Sequence, residues 1–105
     1  MYAIIRHYQT GVGSINDLMH KVDTEFADRV PEEVGSVLYQ AIDTGDGTVM
    51  TVMLFENEEA GRRSEKAAAG VRERLGEFQI EQIEVFAGEV MVSRAREKLL
   101  SPIHH

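Results

Sequence analysis

Two stretches of the chain hold the side chains with most chemistry to offer. Arg6, His7 and Tyr8 follow one another near the N-terminus, and Tyr39, Gln40 and Asp43 lie close together further on. Histidine exchanges a proton near neutral pH, arginine carries a permanent charge that suits an anion, and phenols and amides fix a ligand by hydrogen bonds. His7 and Arg6 are therefore the candidate catalytic pair, with Tyr39, Gln40 and Tyr8 as candidate ligand contacts. Strand alternation sets His7 on one face with Ala3 and Ile5, and Arg6 on the other with Tyr2, Ile4 and Tyr8. A charge among those apolar neighbours needs a carboxylate, an anion or water. A histidine on an apolar strand face reads either as a ligand contact or as a satisfied core or interface residue, and both readings stay open.

Other chemistries find little support. The chain has no cysteine, which removes disulfides, thiolate nucleophiles and zinc–thiolate sites. His7 and His20 are too far apart for a local metal-ligand spacing, and no metal or other cofactor is expected. Gly11-Val12-Gly13-Ser14-Ile15-Asn16 follows a strand and opens a helix, yet Asn16 stands where a dinucleotide loop needs its third glycine, so it reads as turn chemistry. Arg62, Arg63, Lys66, Arg72 and Arg74 interleave with Glu58, Glu59, Glu65, Glu73 and Glu77, the pattern of a solvated helix face.

The elements that position these groups follow from periodicity. Tyr2 to Gln9 reads as a strand closed by a Gly-rich loop. Ser14 stands at an N-cap position, and Ile15, Leu18, Met19, Val22 and Phe26 recur at helical spacing, which predicts a helix ending near Val30 with Pro31 as its stop. Ser36–Asp43 and Thr48–Phe55 flank Thr44-Gly45-Asp46-Gly47, a hairpin signal. Asn57 caps a second helix over Glu58 to Leu75, with Gly76 as its C-terminal stop. Gln79 to Ser93 reads as a long last strand bent at Gly88, and Ala95 to Leu100 as a short helical turn. The order strand, helix, strand, strand, helix, strand predicts an α+β ferredoxin-like split βαβ sandwich (βαββαβ), an antiparallel sheet with two helices on one face. One domain occupies residues 1–100, followed by a tail of residues 101–105.

Composition fits this architecture. A chain of 105 residues with 43% hydrophobic and 28% charged side chains is an ordinary globular domain. Scaling gives such a chain a folded surface of roughly 5,900 Å². The net charge of −7 opposes binding to nucleic acid and to an anionic membrane surface. No run approaches the ~20 apolar residues of a membrane span, and the N-terminus lacks a basic, cleavable leader, so a cytoplasmic location is expected. Both sheet faces are apolar: the third strand carries Val49, Met53 and Phe55 on one side and Met50, Val52 and Leu54 on the other. Helices cover only one of them, so the other predicts a face-to-face homodimer.

The element order, the opening Met1-Tyr2-Ala3-Ile4-Ile5-Arg6, the hairpin Asp43-Thr44-Gly45-Asp46-Gly47 and the stretch Val85-Phe86-Ala87-Gly88-Glu89-Val90 together resemble the dimeric α+β-barrel superfamily. Within it, the chain is similar to uncharacterised proteins near the antibiotic biosynthesis monooxygenase group. The resemblance implies a homodimer with a pocket between sheet and helices in each subunit, taking a small apolar or aromatic molecule. It further implies either a cofactor-independent monooxygenase acting on an aromatic or polyketide-like substrate, or a non-catalytic binding dimer. Characterised members carry an asparagine near the middle of the first strand and a tryptophan, and the haem-degrading branch a histidine on the second helix. Here the first strand offers Arg6 and His7, there is no Trp, and Glu58 to Leu75 contains no His.

Overall fold

A computed structural model describes residues 1–11 and 13–105; Val12, within the glycine loop, lies outside the described residues. Strand β1 (Tyr2–Gln9) is central. It pairs antiparallel with β3 (Thr48–Phe55) on one side and with β4 (Glu81–Glu89) on the other, while β2 (Leu38–Gly45) pairs with the free edge of β3. The order β2-β3-β1-β4 is the ferredoxin-like one.

The first helical stretch is broken into pieces. Helix α1 (Ile15–Lys21) opens where the Ser14 hydroxyl accepts from the Asp17 amide at 3.0 Å. It runs into a π-helical turn over Val22–Phe26, where Ala27 N–H donates to the Val22 carbonyl at 2.7 Å. Pro31 does not stop this helix but sits in the first turn of a new one, α2 (Val30–Val34). That first turn needs no amide donor from proline, and its fixed φ suits helix entry. Gly35, at φ 76°, ends α2 in the left-handed region that suits glycine.

The hairpin forms as its sequence predicts, with Asp46 (φ 55°) and Gly47 (φ 75°) both left-handed at the turn. Strand β2 begins at Leu38, two residues later than periodicity suggested, and buries Ser36 ahead of it. Asn57 caps α3 (Glu58–Arg63), its Oδ1 accepting from the Ala60 amide at 2.8 Å. At Ser64 the helix is interrupted and resumes as α4 (Glu65–Arg74), the Ser64 hydroxyl donating to the Gly61 carbonyl at 2.6 Å. Gly76 opens a 3-10 turn, and the left-handed residue is Gln79, at φ 51°. Strand β4 ends at Glu89, short of Ser93, and Gly88 pairs regularly with Ala3. The irregularity falls instead opposite His7 and Tyr8, where Ile83 is the extra residue.

The helices pack over β1, β2 and β3 and enclose Ile4, Leu18, Phe26, Val30, Met53 and Phe55. Gly61 lets α3 lie close on the sheet: a Cβ there would stand 3.1 Å from the Tyr2 ring and 3.3 Å from Ile4. Among the described residues no helix packs on the other sheet face, and every residue of β4 is exposed. The surface is 7061 Å², which exceeds by about 1,100 Å² the roughly 5,900 Å² expected of a compact chain this size.

Candidate functional site

Between the sheet and the helical layer lies a cavity of about 60 Å³. Its floor is the inner sheet face, with Tyr8 from β1, Tyr39 and Ala41 from β2, and Thr51 from β3. Its roof is α1, the π turn and α2 on one side and Ala68, Val71 and Arg72 of α4 on the other. Most of the lining is aliphatic, so the polar groups that do reach it stand out.

Register explains which strand residues arrive. Arg6 pairs with Thr51, and Thr51 with Ala41, so these three form one cross-strand row on the inner face. Tyr8, two residues from Arg6, shares that face, as does Tyr39, two residues from Ala41. Burial pushes the Tyr39 phenol up to about 12, with Tyr8 adding to the effect. Tyr39 is therefore a protonated hydrogen-bond donor at neutral pH. The Thr51 hydroxyl is buried and has no hydrogen-bond partner among the described residues.

At this end of the cavity one carboxylate serves two guanidinium groups. Glu65 accepts from Arg6 at 2.5 Å and from Arg72 at 3.1 Å. Arg6 is only 2% exposed, yet its Nη1 is without a partner among the described residues, and the same holds for Nη1 of Arg72. Burial opposes the Arg72 charge, but the hydrogen bond to Glu65 and the Tyr8 hydroxyl beside it outweigh that and hold the guanidinium above its ordinary value. Burial likewise raises the Glu65 carboxyl, and its bonds to Arg72 and Arg6 bring it below the usual carboxylate range.

The five residues singled out in the sequence divide between the sheet faces. Tyr8 and Tyr39 line the cavity, and Arg6 is buried beside it as the partner of Glu65. His7 and Gln40 fall on the outer face, His7 in register with Met50 and Gln40 with Val52. His7, 21% exposed, has Thr44 Oγ1 at 3.4 Å from Nε2 and Glu84 Oε1 at 3.7 Å from Nδ1. The other histidines lie on the far surface: His20 Nδ1 is 3.0 Å from the His105 carbonyl, and His104 Nδ1 is 3.0 Å from Asp23. Sequence reasoning missed Thr51 and Arg72. Thr51 is the one polar residue inside the run from Val49 to Phe55, and Arg72 follows Ala68 by one helical turn on the stripe of small residues that meets the sheet.

No family model and no curated protein matches the sequence. Solved structures do resemble it. HapK from Hahella chejuensis superposes with a TM-score of 0.69 at 15% identity, over 91% of this chain and 98% of its own. A dimeric ferredoxin-like protein from an uncultured marine organism gives 0.67 at 12% identity, over 91% and 100%. A candidate antibiotic biosynthesis monooxygenase from Deinococcus radiodurans gives 0.62 at 14% identity, over 91% and 98%. The chain thus has the ferredoxin-like α+β fold that these structures share. Among the described residues no helix is long and apolar enough to cross a membrane.

Proposed function

We propose that the chain works as a homodimer in which each subunit binds a small, largely apolar, aromatic molecule in the cavity between sheet and helices. The observation that carries this reading is the aliphatic enclosure on which Tyr8, Tyr39, Thr51 and Arg72 converge, since few polar groups on apolar walls are the mark of a small-molecule site. At about 60 Å³ the cavity is well under the ~150 Å³ that admits benzene, so a ring enters only as the walls give. The roof suits that role. Its side opposite α4 is built from seven-, five- and five-residue pieces, too short to be stable alone, and contains a π turn, a feature common at functional sites.

The homodimer accounts for the uncovered face, where Ile5, Met50, Val52, Leu54 and Phe86 share one side of the sheet. The excess of about 1,100 Å² in surface is of the order one partner buries in a standard interface, ~800 Å². A face-to-face pair would cover it and take His7 and Gln40 into the contact, and the similar marine protein is itself dimeric.

Binding is favoured over acid–base catalysis by the lining itself. Among the described residues no histidine or carboxylate is in it, and Tyr39 and Arg72 keep their protons at neutral pH, so those residues offer donors but no base. A second reading, oxygenase activity, draws on the likeness to the Deinococcus protein. It keeps the same cavity and demands a substrate that ionises without help from the lining. Light scattering should give about twice 11.8 kDa, and titration with 2-naphthol should shift the NMR signals of Leu18, Val22, Ala68 and Val71. Shifts confined to outer-face residues such as Ile5 and Val52 would overturn the cavity as the site.

A further inference from the structure

Resting on that reading, we infer that the cavity selects an anionic ligand, an aromatic carboxylate whose oxygen pairs with Arg72 Nη1 and is met by the Thr51 hydroxyl. Charge counting is the basis. Among the described residues Arg6 and Arg72 each form a salt bridge to Glu65 and to no other acid, so two positive charges share one negative. Of the two, Arg72 stands on the lining and is 28% exposed, so its charge is only partly hydrated there. A bound carboxylate would bring the group to neutrality.

Hydrogen-bond counting points the same way. Nη1 of Arg72 and the hydroxyl of Thr51 are both buried and both without a partner among the described residues, and both residues line the cavity. Tyr39 contributes a further phenolic O–H on the same floor. An oxyanion has several lone pairs and accepts from all three, whereas an alkane or a neutral ring leaves them unmet. In a chain of net charge −7 a free anion is repelled from most of the surface, so this local excess of positive charge also discriminates.

The test compares two probes of one skeleton at pH 7: 2-naphthoate, charged, and 2-naphthol, neutral. The wild-type dimer should bind 2-naphthoate at least about ten-fold more tightly, with shifts at Val71 and Thr51. Arg72→Met should bring the two affinities to within about two-fold of each other, the larger loss falling on 2-naphthoate, and Thr51→Val, which keeps the side-chain shape, should weaken 2-naphthoate several-fold. Equal or tighter binding of 2-naphthol by the wild type would overturn the anion inference and leave the cavity reading standing. Binding of neither probe at the lining would overturn the cavity reading itself, and the inference with it.

Discussion

Strands β3 and β4 flank the same central strand, each through an antiparallel ladder, and each carries large apolar side chains. Their environments are opposite. In β3, Val49, Met53 and Phe55 are buried, Phe55 completely, whereas every residue of β4 is exposed, Phe86 at 56%. Backbone pairing alone therefore confers no burial. What separates the two is the helical layer, which lies over β1, β2 and β3 and stops short of β4. Phe55 belongs to the fold of one chain, and Phe86 to whatever the sheet meets next.

Substitutions at these two phenylalanines test the contrast most severely. Phe55→Ala should cost ~3–5 kcal/mol, because a fully buried ring leaves a cavity that its surroundings fill only in part. Thermal melting should show it as a large drop, and a drop of a degree or two would mean that β3 is no more structural than β4. Phe86→Glu should leave the fold of the single chain within about 0.5 kcal/mol while shifting the mass toward 11.8 kDa. An unchanged dimer with that charge in place would show that β4 and the outer face are not the contact.

Glu65→Gln gives the smallest effect, and a pH-dependent one. The folded Glu65 carboxyl ionises below its ordinary 4.5, so its contribution is present above that pH and is lost as pH falls through the folded value. Because Glu65 is 58% exposed, water screens the pair, and the variant should lose only about 1 kcal/mol at pH 7. Wild type and variant should converge in melting temperature toward pH 3. A gap as wide at pH 3 as at pH 7 would show that the carboxylate charge is not what holds Arg6.

The strands, the hairpin and both cap residues were legible in the sequence because each follows from a local rule: runs of apolar strand formers between turn residues, the positive φ of Asp46 and Gly47, and the side-chain oxygens of Ser14 and Asn57. Pro31 was not, since proline ends one helix as readily as it begins another, and only the pieces packed around it decide. Gly88 drew the bend that belongs to Ile83, because a missing side chain permits a bulge without requiring one. The face of each β1 residue was readable from alternation. The convergence of Tyr8, Tyr39, Thr51 and Arg72 was not, because it depends on three strand registers and on the rotation of α4. Arg72 was hidden among charges whose pairs, Glu58–Arg62 at 2.7 Å and Glu59–Arg63 at 3.1 Å, do lie on the solvent side.

Gly61 bears on all of this from a distance. Where the glycine lies against Tyr2 and Ile4, helix and sheet nearly touch. Beyond Ser64, at Ala68 and Val71, they stand apart around the cavity. The space between the layers is thus narrow at the Gly61 end and wider around the cavity. A methyl group at position 61 would act as a shim under the narrow end. The capacity of the site is in this way partly set by a residue that lines none of it, and a survey confined to ligand contacts would pass it over.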